Sequence, residues 1–349
     1  MTIHQQTLTL GQHNVEHFTL TNRHGMQIEL MNWGATWVDA RVADRNGVIE
    51  SVTLAYDVMN DYIANPSFFG CVVGRMAGRI AESRFHLNGQ DYAVTANSGM
   101  HQLHGGANAM WQQPWTVAQV VDEADYTSVR FEYISPAGEN GYPATLTVAV
   151  TYVLTDDNTV SIMYHGIADA PTVCNLTNHA YFNLSGNARV DVTQHALQVQ
   201  ASKVCAMSDD LIVTGDEWPV AGSAFDFRTA KPLGNVLSSD DPRIARAQGI
   251  DHYFILDQGL REIPQVVLQD PHSGRRLSVW TNQPCVVLYA HNYASGEQLR
   301  HGAVGTPHDA LCIETQKLPH VWASNGDHPA AMDANHAYTQ RTDFRFDVF

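Results

Sequence analysis

Two groups able to move protons frame this sequence. The stretch "NHAYFNLSG" sets His179 beside Asn178 and ahead of Tyr181 and Phe182, and "ALCIETQKLP" sets Glu314 after an apolar run. Imidazole, unperturbed at ~6.5, is the side chain best placed for proton transfer near neutrality. His179 is either that donor or a hydrogen-bonded core histidine, and the local residues fit both. A carboxylate behind Leu311, Cys312 and Ile313 is costly to bury unless it is paired or used. Its other reading is the solvent face of an edge strand.

Three further polar clusters accompany them. In "GRMAGRIAESRF", Arg75 and Arg79 stand four apart: two solvated charges on a loop, or a guanidinium in a cleft that donates to hydroxyl groups. In "MHQLHGG", His101 and His104 stand three apart before paired glycines, which suit a tight turn and a close backbone approach. That spacing hints at a metal site, but zinc needs third and fourth ligands that are missing nearby. "GIDHYF" offers Asp251 and His252 as a turn or as ligands for sugar hydroxyls.

The elements that must position these groups read as strands. Val129, Phe131 and Tyr133 alternate in "YTSVRFEYIS", as do Leu146, Val148, Val150 and Tyr152 in "TLTVAVTYVL". Asp156-Asp157-Asn158 marks a hairpin turn between two β-rich runs. "HALQVQA", "PQVVLQD", "RLSVWTN" and "CVVLYAHNY" continue the pattern. Helix is confined to a short piece in "MNDYIANP", ended before Pro66, and a turn or two in "GNVLSSDDPRIARA". With no linker and no repeat, the expectation is an all-β sandwich or barrel forming one domain over residues 1–349.

Composition narrows the partners. The 349 residues carry 36 acidic and 20 basic side chains, a net charge of −16, and no basic block to follow a phosphate backbone, which argues against nucleic acid. Nothing resembles a signal peptide or a bilayer span, so the expectation is a cytoplasmic protein without membrane association. Cys71, Cys174, Cys205, Cys285 and Cys312 are scattered and form no CxxC pair, so they read as small buried hydrophobes.

Taken in order, "MNWGATWVDARVADRNG", "GRMAGRI", "RFHLNGQDYAVTANSGMHQLHGG", "TNHAYFNLSG", "SAFDFR", "GIDHYF" and "LCIETQKLP" resemble the aldose 1-epimerases, or galactose mutarotases, collinearly over nearly the whole chain. The resemblance implies a large antiparallel β-sandwich, the galactose mutarotase-like supersandwich, with few short helices. It also implies interconversion of the α and β anomers of free aldoses such as glucose and galactose, with a small-molecule sugar as partner and neither metal nor organic cofactor. Carried over residue by residue, it makes Glu314 the general base, His179 the general acid and His104 the second active-site histidine. Arg79 and Asp251 become holders of sugar hydroxyls, Tyr181 and Tyr289 the aromatic wall for the sugar's apolar face, and Asn178 a neighbour orienting the site.

The chain departs from the family pattern in places. Many relatives carry asparagine before the second arginine, where this chain has Gly78, and glutamine where it has Val287. "DANHAY" and "HVWASNGDHP" replace or follow other family motifs. These changes bear on the sugar accepted more than on the reaction. A non-catalytic sugar-binding or sensor protein and a hexose-phosphate 1-epimerase are the competing readings, with a metal-dependent β-barrel enzyme a third. Monomer and homodimer both stay open.

Overall fold

In the computed structural model, residues 1–257, 262–318 and 328–349 are described. Most of "HVWASNGDHP" (320–327) and Pro319 of "LCIETQKLP" lie outside them.

Alternation becomes pairing. Strands Tyr126–Ser135, Leu146–Thr155 and Thr159–Ala168 run antiparallel, with Val129 opposite Tyr152 and Tyr152 opposite Ile162. Asn158, at φ 60°, makes the predicted turn between the last two. Together with Thr116–Asp122 they form one half of a nine-stranded sheet. It continues through Tyr338–Val348, Arg275–Thr281, Val266–Gln269, Ala196–Val199 and Lys231–Pro232.

A six-stranded sheet runs in the order Tyr181–Phe182, Leu311–Gln316, Cys285–Tyr289, Asp251–Leu256, Ala201–Met207 and Val213–Pro219. A five-stranded sheet holds residues 2–51 in chain order. The sheets pack face to face on a shared apolar core. Trp37, Phe182 and Phe344, one from each sheet, meet there with ring centroids 5.5 to 5.8 Å apart. Each such fully buried aromatic stabilises the fold by roughly 1.5–3 kcal/mol. This is the antiparallel sandwich that alternation predicts.

Among the described residues helical structure is as sparse as expected: a few 3₁₀ turns, the longest at Met59–Ile63, and short α-helices at Gly234–Leu237 and Pro242–Arg246. The last starts on Asp241, whose side chain accepts the Arg243 N–H, with Pro242 at the first helical position. All five cysteines are buried and free.

Candidate active site

The period of two along a strand builds the floor of the cleft. In the six-stranded sheet Leu311 and Ile313 turn into the core, which leaves Cys312, Glu314 and Gln316 on the opposite face. The neighbouring strands do the same: Val286, Leu288 and Phe254 enter the core, whereas Val287, Tyr289, Asp251 and Tyr253 line the cleft. Register sets these into rows. Asp251 pairs with Tyr289, Tyr289 with Cys312 and Cys312 with Tyr181, while Tyr253 pairs with Val287 and Val287 with Glu314. Glu314 is therefore not on an edge. Its strand is paired on both sides, and the residue is 3% exposed.

Loops raise the walls of this cleft of about 230 Å³, bringing Phe68, Gly78, Arg79, His104, His179 and His291 over the sheet. His179 is fixed on all sides. Its N–H donates to the Cys71 carbonyl and its own carbonyl accepts from the Gly70 N–H, both at 3.0 Å. Its ring stacks between Phe68 at 5.8 Å and Tyr181 at 5.0 Å. Nδ1 meets the Cys312 sulfur at 3.6 Å, and Nε2 stands 3.6 Å from Glu314 Oε1.

His104, at φ 50°, closes the hairpin-like turn after Gln102–Leu103, its ring 5.2 Å from that of His179. The glycines behind it are required by a backbone rather than a ligand, because a Cβ on Gly105 would fall 1.8 Å from the Gly74 carbonyl oxygen. Arg79 faces Asp251 at 3.9 Å across the cleft.

Burial dominates the electrostatics. It pushes the Glu314 carboxyl well above its usual range, an effect reinforced by Asp251 and opposed by Arg79. It pulls His179 down to about 3 and His104 well below its ordinary value. Both members of the Glu314–His179 pair are thereby biased to their neutral forms, with the pair's single proton on the carboxyl.

His104, His179 and Glu314 offer donor atoms within 4.8 Å of one another, close enough to suggest a cation. The Gly78 N–H, however, donates to His104 Nδ1 at 3.3 Å. That bond places the ring proton of neutral His104 on Nε2, making it a donor and not a ligand.

Other sequence candidates separate here. Gly78, Arg79, Tyr181, Tyr289 and Asp251 line the same cleft as Glu314, His179 and His104. Asn178 does not: its amide donates to the Gly70 carbonyl at 2.6 Å and the Tyr152 hydroxyl at 3.1 Å, while its oxygen accepts the Ala180 N–H. It braces the His179 loop from behind. Arg75 is also structural, donating to Ser135 Oγ and to the carbonyls of Ser135, Pro136 and Pro143. His101 accepts the Glu82 N–H outside the cleft.

Sequence reading passed over Tyr253, Gln316, Phe68, His291 and Tyr293, which also line the cleft. Tyr253 and Gln316 were recoverable, since each lies two residues beyond a flagged acid on the same strand face. Phe68, His291 and Tyr293 sit in irregular backbone, where no periodicity marks a direction.

Fold and site define a β-sandwich whose cleft holds a buried carboxyl beside a buried imidazole. Residues 16–345 match the family model described as Aldose 1-epimerase. The aldose 1-epimerase of Haemophilus influenzae is 35% identical over 334 residues, covering 94% of each chain. The galactose mutarotase of Sus scrofa is 34% identical, covering 98% of this chain and 96% of its own. Among solved structures, the galactose 1-epimerase of Lactobacillus acidophilus superposes with a TM-score of 0.87 at 27% identity, covering 99% of both chains. The chain belongs to the aldose 1-epimerase family, and its function is that family's isomerisation. Among the described residues no helix is long and apolar enough to cross a membrane.

Proposed function

We propose that Glu314 and His179 are the base and acid of this mutarotase and that its substrates are free hexoses, galactose and glucose first. A cyclic aldose opens when the C1 hydroxyl loses a proton and the ring oxygen gains one. Both oxygens are bonded to the same carbon, so the two protein groups must stand close together. The 3.6 Å between His179 Nε2 and Glu314 Oε1, with both groups buried, is the observation that carries the reading.

Glu314 takes the C1 proton while His179 Nε2 delivers one to the ring oxygen; the C1–ring oxygen bond breaks as the C1 carbonyl forms. Rotation about C1–C2 turns the other face of the aldehyde to the ring hydroxyl, and reclosure reverses both transfers. The ion pair needed at the start and the neutral pair favoured by burial hold the same one proton. They interconvert by its transfer between neighbours, so proton exchange with solvent is not required.

Arg79 and Asp251 hold sugar hydroxyls by charge-assisted hydrogen bonds, and His104 donates near the ring oxygen. Tyr181 and Tyr289 supply the apolar wall. The single-domain reading of residues 1–349 is supported by a main core cluster whose members run from Phe18 to Phe346. A cytoplasmic setting fits the composition and the unpaired cysteines.

Polarimetry on freshly dissolved α-D-glucose and α-D-galactose tests the reading. Wild type accelerates the change in rotation, and Glu314→Gln lowers the rate by roughly 10²–10⁴-fold. His179→Asn loses at least as much as His104→Asn. Near-normal turnover by Glu314→Gln sinks the assignment, and the reverse order of the histidines exchanges their roles.

A further inference from the structure

We propose that His291 is a specificity-determining residue of the cleft, holding one hydroxyl of the aldose through Nε2 at a distance from the anomeric carbon. The proposal deepens the mutarotase reading and rests on it.

His291 lines the cleft yet is 1% exposed. Its Nδ1 is hydrogen-bonded to the Asp309 carboxylate, whose other oxygen accepts the Thr306 N–H at 2.9 Å. That contact engages Nδ1 and leaves Nε2 as the ring nitrogen open to a hydroxyl. Nε2 is buried and has no hydrogen-bond partner among the described residues.

The nearest carboxylate, Glu297, is 3.9 Å away, and its oxygens are already taken by Ser67 Oγ, Ser295 Oγ and the Ser295 N–H at 2.6, 3.0 and 3.1 Å. A buried polar atom left open is unfavourable until something satisfies it, and a hydroxyl entering the cleft can donate to it. The backbone reinforces this reading. His291 sits at φ 43°, in the left-handed region that favours glycine, so the imidazole is held there against local preference.

Position separates His291 from the acid–base pair. Its ring meets the ring of Tyr181 at 5.0 Å, and Tyr181 in turn lies 5.0 Å from His179, so the two imidazoles share the tyrosine as a neighbour and His291 acts on His179 only as a nearby charge. A hydroxyl on His291 is bound alike before and during ring opening. Such uniform binding sets KM and leaves kcat alone. The lining supplies a reason for a new contact as well. Gly78 and Val287 carry no hydrogen-bonding side chain where the family resemblance implies an amide at each position.

His291→Gly removes the imidazole at a backbone position that glycine prefers, which offsets part of what Asp309 loses with its ring partner; the melting temperature falls, and a retained kcat shows that the fold survives. KM for galactose or glucose rises roughly tenfold, as for the loss of one hydrogen bond, with kcat retained. Across the monodeoxy derivatives of the same sugar, one derivative gives equal KM with wild type and variant, because it lacks the hydroxyl that His291 holds. His291→Asn, still polar and tolerant of this backbone, recovers part of the loss.

Equal KM increases for every derivative, no increase for any, or a fall in kcat with a displaced pH profile each overturn the proposal. A wild-type chain that leaves fresh glucose and galactose at their spontaneous rate sinks the mutarotase reading instead. Calorimetry with the same deoxy set then decides His291 separately: a selective loss supports it, and an absence of sugar binding overturns it.

Discussion

A carboxyl group held 3% exposed, where burial outweighs the help of Arg79, costs stability whenever it must ionise. Because the folded-state pKa of Glu314 is raised, its contribution to stability is present below the unfolded-chain value and is lost as pH rises toward the folded one. Glu314→Gln keeps the shape and removes that loss. The variant should melt higher than wild type at about pH 8, and the gap should close toward about pH 4. A wild type that is the more stable of the two at pH 8 would show that Glu314 is ionised and well paired in the free cleft. The residue most damaging to activity when replaced is thus expected to be among those whose replacement helps the fold.

Elements decide which residues can coexist. A Cβ on Gly78 would lie 2.2 Å from the Tyr253 hydroxyl, which occupies the room that a side chain at position 78 would need. Gly78→Asn, a change toward the family pattern, should therefore lower kcat/KM by at least tenfold, while Tyr253→Ser in the same chain should restore most of it. A loss that is additive in the double variant would show that the two positions act independently.

The same coupling explains what the sequence could and could not disclose. The departure at Gly78 is visible in the chain, but its cause is a tyrosine some 175 residues later, brought opposite by strand pairing. Period-two alternation announces that Val129, Phe131, Tyr152 and Glu314 lie in strands, and it assigns Tyr253 and Gln316 to the faces of Asp251 and Glu314. It does not state that the loops carrying Phe68, Arg79, His104 and His179 close over the face on which Glu314 stands, which is what removes Glu314 from solvent. Asn178 and Arg75 looked functional because they are polar and stand beside His179 and Arg79. Their hydrogen bonds to backbone show that they carry the loops on which those neighbours rest.

At the scale of the molecule, pH acts through two opposed sets. His104, His179, His195 and His252 are buried and held neutral, the last two at about 4 and about 3, so they favour the folded state above the unfolded histidine value and lose that contribution as pH falls. Asp39, Asp251 and Glu314, raised by burial, act in the other direction as pH climbs. Between roughly pH 4.5 and 6.5 four sites stand against three, and stability should change gently. Above neutrality the histidine contribution is complete and the carboxyl penalty remains. Denaturant titrations should therefore show a smaller rise in stability between about pH 4.5 and 6.5 than four buried neutral histidines alone would produce. A rise across that window as steep as the histidines alone predict would mean that the three carboxyls ionise freely in the native state.

The strand Tyr338–Val348 lies in the middle of the nine-stranded sheet, paired with Thr159–Ala168 on one side and Arg275–Thr281 on the other. During synthesis the first of these partners leaves the ribosome some 170 residues ahead of it. Until the strand arrives, the nascent chain exposes an unpaired apolar edge that invites association with other chains. A chain ended before Tyr338 is therefore expected to aggregate rather than to be a partly active enzyme.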